Sequence, residues 1–278
     1  MNKYRFLRFP DFKDKALTLS YDDGLIFDKK LIKILNEYGI KCTFNLNSGL
    51  FAVKTGDRRM TKEEAVSLYK DTNHEIAIHG AQHLSLADVP EEFTVADVIE
   101  DRKALEKLFG RIVKGMAYAN GSVDDSIVDI VKHCGIKYAR TTISSNNFFI
   151  PNDWLKLEPT CHHGDSKLMV LADEFLKESK SGYFWNNYPK LFYLWGHSYE
   201  FDDRNEWGII EEFAKRVGNR DDIWYATNGE VFDYVQAYNR LEFSVDGKII
   251  TNPTDKDVFL DLFGDDIKIA AGETRTIG

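Results

Sequence analysis

No stretch of the 278 residues approaches 18 consecutive apolar positions, which excludes a transmembrane helix. There is no basic cluster: 36 Lys and Arg stand against 45 Asp and Glu, a net charge of −9. Such a chain is poorly equipped to grip a phosphate backbone, so neither nucleic acid nor a membrane is an expected partner. Small molecules and neutral polymers remain. Cysteine is scarce, and Cys42, Cys134 and Cys161 fall in no metal-like spacing. Cys42 and Cys134 sit in apolar contexts and read as reduced core thiols. The first twenty residues lack the apolar run and small-residue cleavage site of a secretory signal, which makes a cytoplasmic location the expectation. Internal repeats and low-complexity tracts are also missing.

What is present is an ordinary globular balance, 43% hydrophobic and 29% charged, with aromatics at 13%. Several aromatics fall in loop-like stretches: Phe148, Phe149 and Trp154, then Tyr183, Phe184, Trp185 and Tyr188. They suit the flat faces of sugar rings or, equally, the cover of a core.

Short apolar runs alternate with amphipathic stretches for most of the length. Candidate strands are residues 16–21, 41–46, 75–79, 112–118, 137–141, 191–195 and 223–226. Helices are expected at 28–38, from Thr61 with Glu64 closing a capping box, and at 94–109, 124–133, 171–180, 205–217 and 229–240, the last capped by Asn228. About seven β-then-α units predict an α/β fold, either a closed or nearly closed barrel or an open doubly wound sheet. After Arg240 the pattern turns to short alternating runs. This divides the chain into a (β/α) domain, residues 1–240, and a small antiparallel β appendage, residues 241–278, which can contact substrate, meet a second subunit or cover the barrel's bottom.

In a β/α barrel the side chains just past the carboxyl ends of the strands share one face. Those positions hold Ser20-Tyr21-Asp22-Asp23-Gly24, His79-Gly80-Ala81-Gln82-His83, Ala117-Tyr118-Ala119-Asn120-Gly121, Ala139-Arg140-Thr141 and Trp195-Gly196-His197. Adjacent aspartates before a glycine make turns, and a single His after a strand is often structural. Three His and two Asp at converging strand ends carry more weight. Two imidazoles and a carboxylate suit Zn²⁺ or a similar divalent ion, with positions left for water and substrate. A second carboxylate can take a proton from bound water, and a histidine opposite can protonate a leaving group. Metal-assisted hydrolysis of an amide or ester follows from this chemistry.

Ser20–Gly24, His79-x-x-x-His83 and Leu194-Trp-Gly-His197 resemble the first, second and fifth motifs of the polysaccharide deacetylases, the NodB-homology or carbohydrate esterase family 4 enzymes, in order and separation across residues 15–240. The resemblance implies a distorted (β/α) barrel and metal-dependent removal of N- or O-acetyl groups from a saccharide. One divalent ion, Zn²⁺ or else Co²⁺, Ni²⁺ or Mn²⁺, would be held by Asp23, His79 and His83. Asp22 would be the base that deprotonates metal-bound water, and His197 the acid. The third motif, Arg-x-Pro-aromatic-Gly in the family, is degraded to Ala117-Tyr-Ala-Asn120-Gly121. Arg140, one strand on, is the candidate replacement for its arginine, and the Asn120 N–H still suits an oxyanion.

Tyr118, Asn120, Trp154 and Trp195 are the expected substrate contacts, with Trp154 standing for the family's fourth-motif aromatic. His162 and His163 can also approach the site, and Tyr199, Glu200 or Asp202 can orient His197. His74 and His133 read as structural. Two other functions stay open: hydrolysis of another small amide on the same fold and metal, or a carbohydrate-binding protein that has lost catalysis. The sequence leaves the oligomeric state undetermined.

Overall fold

The computed structural model describes residues 4–178 and 187–277. In chain order its elements are β1 (Arg5–Arg8), β2 (Lys15–Asp22), α1 (Asp28–Glu37), β3 (Thr43–Leu46), α2 (Lys62–Tyr69), β4 (Glu75–Ile78), α3 (Glu91–Phe109), β5 (Gly115–Ala117), α4 (Asp125–His133), β6 (Tyr138–Arg140), β7 (Cys161–His162) and α5 (Leu168–Leu176). There follow β8 (Lys190–Gly196), α6 (Ser198–Asp203), α7 (Trp207–Val217), β9 (Ile223–Tyr225), α8 (Asn228–Asn239), β10 (Glu242–Phe243), β11 (Ile249–Thr251), β12 (Val258–Leu262), β13 (Asp265–Ile269) and β14 (Thr274–Thr276).

Seven parallel strands run in the order β6-β5-β4-β3-β2-β8-β7, and β9 branches from β2. All eight residues of β2 are buried, as expected of a parallel strand covered on both faces. Its first residues pair with β9, its last with β3, and nearly its whole length with β8. The row curls back on itself. Leu157 bridges Arg140 at the β6 edge, while Cys161 and His162 a few residues on form β7 against β8. The extended segment 157–162 thus touches both ends of the row, and Pro159, which lacks an N–H to give a ladder, lies in its middle. This is a distorted (β/α) barrel, and it disposes of the open-sheet alternative.

All seven strands expected from the sequence are present. β1 and the two-residue β7 were not anticipated. α5 ends at Leu176 instead of reaching residue 180, and α6 forms separately ahead of α7. The cap of α8 is Thr227 and not Asn228: the Thr227 hydroxyl accepts the Glu230 N–H, and Glu230 accepts the Thr227 N–H. The Thr61–Glu64 box forms as read. Tyr183, Phe184 and Trp185 lie outside the described residues.

The chain's last segment builds two three-stranded sheets, β1-β12-β13 and β10-β11-β14, so the first strand of the chain belongs with the last ones. Leu7, Phe9, Val231, Tyr234, Val235 and Phe259 pack over Ala16 and Leu191, at the strand starts. Of these, Phe259 is the residue that the appendage contributes to the bottom of the barrel. Buried Arg8 clamps the join through Asp261 at 2.9 Å. The three cysteines are free and buried. Among the described residues no helix is long and apolar enough to cross a membrane.

Candidate active site

The barrel delivers Asp22 as the last residue of β2, His79 just after β4, Arg140 as the last residue of β6, and His197 just after β8. The turn after β2 is tight: Asp23 (φ 78°) and Gly24 (φ 65°) both have left-handed backbones. The left-handed backbone favours glycine at position 24, and a Cβ there would also have to displace the Leu46 Cδ2 methyl, 2.7 Å away. His79 and His83 do not lie on a helix face. Residues 79–83 form a turn in which Gly80 (φ 80°) and His83 (φ 56°) are left-handed, and this fold-back sets the two rings 4.8 Å apart. Asp97 and Asp101 of α3 hold that turn: Asp97 Oδ1 accepts the Gln82 N–H at 2.7 Å, and Asp101 Oδ2 accepts the His79 N–H at 3.1 Å.

Asp23, His79 and His83 offer ligand atoms that all lie within 4.8 Å of one another. His79 Nδ1 donates to the Ala117 carbonyl at 2.8 Å, which leaves Nε2 as a bare lone pair. Asp23 Oδ1 is buried with no hydrogen-bond partner, 3.6 Å from His83 Nε2. A buried, unsatisfied carboxylate oxygen facing two imidazole nitrogens fits a divalent cation.

Asp22 is 2% exposed and both its oxygens are engaged. Oδ1 accepts from Asn45 Nδ2 at 2.8 Å, and Oδ2 forms an ion pair with the Arg140 guanidinium. Burial alone would push this carboxyl up. Arg140, with His79 and His197 each 3.8 Å away, outweighs it and brings the carboxyl down to about 2. Arg140 is wholly buried and lies 4.2 Å from the centre of the Trp195 ring, which cradles it. Its Cα is paired with that of Ala117, so the cation beside Asp22 stands on the strand next to residue 117 and at the same level.

His197 Nε2 faces Asp22, while its Nδ1 lies 3.8 Å from Glu200 Oε1. Burial would lower this imidazole's pKa, but Glu200, Asp22 and Asp23 together raise it above the usual histidine value. His162 and His163 reach the other oxygen of Glu200 at 3.0 and 2.9 Å. Tyr199 lies beside His197, with ring centres 5.2 Å apart, whereas Asp202 accepts from Trp207 Nε1 at 3.3 Å.

Asp22, Asp23, His79, His83, Arg140, Trp195 and His197 therefore come together. Three other expected residues do not join them through their side chains. Tyr118 points into the core, with its hydroxyl donating to the Leu155 carbonyl at 2.9 Å. Trp154 packs edge-on against Phe232 of α8, toward the strand starts, because the Ala139 N–H bonds its carbonyl and aligns it with the beginning of β6. Asn120 (φ 56°) is exposed in the turn after β5, and its amide donates to Ser85 Oγ at 2.9 Å. Asn45 went unnoticed in the sequence, although a lone amide between Phe44 and Leu46 was a signal. His74 is structural, its Nδ1 accepting the Cys42 N–H at 3.1 Å. His133 is exposed and bonds the Asp129 carbonyl.

Residues 10–139 match the family described as polysaccharide deacetylase, a span that holds Asp22, Asp23, His79 and His83. That span, a little under half of the chain, is where the likeness to the family lies. No curated protein matches it in sequence. Among solved structures, a Mycobacterium smegmatis protein assigned to the polysaccharide deacetylases superposes with a TM-score of 0.62 at 18% identity, over 86% of this chain and 96% of the other. BA3943, a CE4 family pseudoenzyme from Bacillus anthracis, gives 0.50 at 16% identity, over 82% and 68%. The Streptococcus pyogenes deacetylase PplD, solved with acetate, gives 0.45 at 20% identity, over 50% of this chain and 61% of its own length, so the chain spans under two thirds of that relative. At these identities the likeness is one of fold.

Proposed function

We propose that the protein is a metal-dependent hydrolase that removes N- or O-linked acetyl groups from a carbohydrate. The observation that carries this reading is the convergence of Asp23, His79 and His83 beside an ionised, buried Asp22. Asp23, His79 and His83 would hold a divalent ion, zinc before cobalt, nickel or manganese on donor chemistry, which when bound would supply Lewis acidity to the acetyl carbonyl and to water. Asp22 stays charged because Arg140 and Asn45 secure its two oxygens, and it accepts the proton that water gives up on attacking the acetyl carbon. The Asn120 N–H is the proposed oxyanion donor. His197, whose raised pKa favours the imidazolium, hands its proton to the departing amine or alcohol as the C–N or C–O bond breaks. Acetate leaves, and one water is consumed.

Trp195, beside both Arg140 and His197, remains a proposed wall for the sugar. Tyr118 and Trp154 are withdrawn from that role. The fold likeness to a pseudoenzyme keeps a non-catalytic carbohydrate binder as the second reading. Against it stand the full complement of Asp22, Asp23, His79, His83 and His197 and the arginine supplied by β6. Acetate release from acetylated chito-oligosaccharides and acetyl-xylan, with Asp22→Asn as control, tests the proposal. Saccharide binding without turnover across zinc, cobalt, nickel and manganese would favour the binder.

A further inference from the structure

His162, His163 and Glu200 form a cluster that the hydrolytic steps above do not use. Their ligand-type atoms lie close enough together to suggest a second metal ion. The proton positions argue otherwise. The Gly164 N–H donates to His162 Nδ1 at 3.0 Å, so a neutral His162 ring carries its hydrogen on Nε2, the atom 3.0 Å from Glu200 Oε2. His163 Nδ1 is buried with no partner, whereas its Nε2 lies 2.9 Å from the same oxygen, so its hydrogen also belongs on Nε2. Two N–H groups, rather than two lone pairs, face one carboxylate oxygen. Neither is aimed squarely enough to make an aligned hydrogen bond, but both place positive dipole against the charge.

The seat of His163 is built from every side. Its ring stacks on Phe201 at 4.0 Å and on Tyr21 at 5.7 Å. Its backbone N–H donates to the Trp195 carbonyl at 2.9 Å. Its Nδ1 edge occupies the space where residue 196 would carry a Cβ, at 1.9 Å, which only glycine permits. With Oε2 set against the histidine pair, Oε1 accepts from Arg204 Nη2 at 3.4 Å and also faces His197 at 3.8 Å, whose Nδ1 is buried and has no other partner.

We infer that His162 and His163 are positioning residues that clamp Glu200 so that its Oε1, held from the other side by Arg204, fixes His197 as the Nδ1–H tautomer. His197 Nε2 is thereby reserved for the face it shares with Asp22. This rests on reading His197 as the proton donor.

The test uses the full chain loaded with zinc, ¹⁵N-labelled at histidine, with the His197 signals assigned from a His197→Gln spectrum. At a pH high enough to leave the ring neutral, wild type should show His197 protonated at Nδ1 with Nε2 bare. Glu200→Ala and His163→Phe, the latter preserving the stacked ring, should mix the tautomers, and Glu200→Gln should restore the wild-type pattern in part. On acetylated substrate the same variants should lose roughly 10–100-fold in kcat with KM little changed, as for loss of a partner that orients a ligand or catalytic group. A His197 tautomer unmoved by Glu200→Ala and His163→Phe would overturn the inference. So would two zinc ions per wild-type chain with one lost in His163→Phe, which would make the cluster a metal site. The spectra decide the matter even if no acetylated substrate turns over, which would count against the proposed function alone.

Discussion

Arg140 and Asp22 are paired across the barrel and not along a ladder: β6 and β2 are separated in the sheet by β5, β4 and β3, yet their side chains form a buried ion pair. Only a curled sheet brings them together, so the contact reports both the closure of the fold and the charge state of the site.

Arg140→Ala should therefore damage folding and function together. Removing one partner of a buried pair leaves a carboxylate without compensation, a cost of about 3–5 kcal/mol. Unfolding in urea should show that loss, and acetate release should fall by about 100-fold or more. Arg140→Met combined with Asp22→Asn, which leaves no unpaired charge, should recover much of the stability and none of the activity. An Arg140→Ala chain with wild-type stability and turnover would mean that the pair does not control Asp22.

The proposed metal centre predicts a stability response that needs no substrate. A ligand that binds only the native state, at ~100 times its Kd, adds about 2.7 kcal/mol, which in a chain of this size raises Tm by roughly 5 °C. Zinc should shift wild type by that order, chelator should reverse it, and His79→Ala should not respond. Metal analysis should find one ion per wild-type chain. A chain that stays empty with zinc, cobalt, nickel and manganese would rule out the metal-dependent reading.

Much of this site was legible because strand ends in a parallel barrel must meet, and Asp22, His79 and His197 directly follow apolar runs. Other parts were not. A one-residue step along extended chain reverses the face a side chain takes, so Tyr118, next to Ala117, turns into the core. Trp154 belongs to a connection whose direction no periodicity reveals, and its pairing with the start of β6 sends it to the far end. β7 is two residues long and held by a neighbour remote in sequence, so local pattern carries no trace of it. Arg140 was readable as a candidate only because position 140 ends the strand next to the degraded motif.

Away from the site, Asp28 gives a pH signature of stability. Burial raises its pKa to about 7, although the Ser198 and Tyr69 hydroxyls pull it down; Tyr69 donates to Oδ2 at 2.6 Å. The native state thus keeps a proton that the unfolded chain releases near pH 4. Between about pH 4 and pH 7 the native state binds more protons than the unfolded one, so this contribution is complete below pH 4 and is lost as pH rises through 7. Asp28→Asn removes the titration. The difference in unfolding free energy between wild type and Asp28→Asn should fall across that window, by an amount on the order of 4 kcal/mol. A flat difference curve would place the Asp28 carboxyl at its ordinary value.

Gly196→Ala probes the join between the strand that delivers His197 and the ring of His163. The backbone at 196 is not left-handed, so alanine brings no conformational strain there. What it brings is a methyl group 1.9 Å from His163 Nδ1, against a ring already fixed between Tyr21 and Phe201. Either the ring leaves its stack or β8 shifts outward, and overpacking of this kind costs about 1–3 kcal/mol. Combining Gly196→Ala with His163→Ala vacates the space the methyl needs. The double variant should then be more stable than the two separate losses added together, a coupling of about 1 kcal/mol or more measured by a double-mutant cycle in urea. Strict additivity would show that the two residues do not press on one another, and that Gly196 is required for some reason other than the seat of His163.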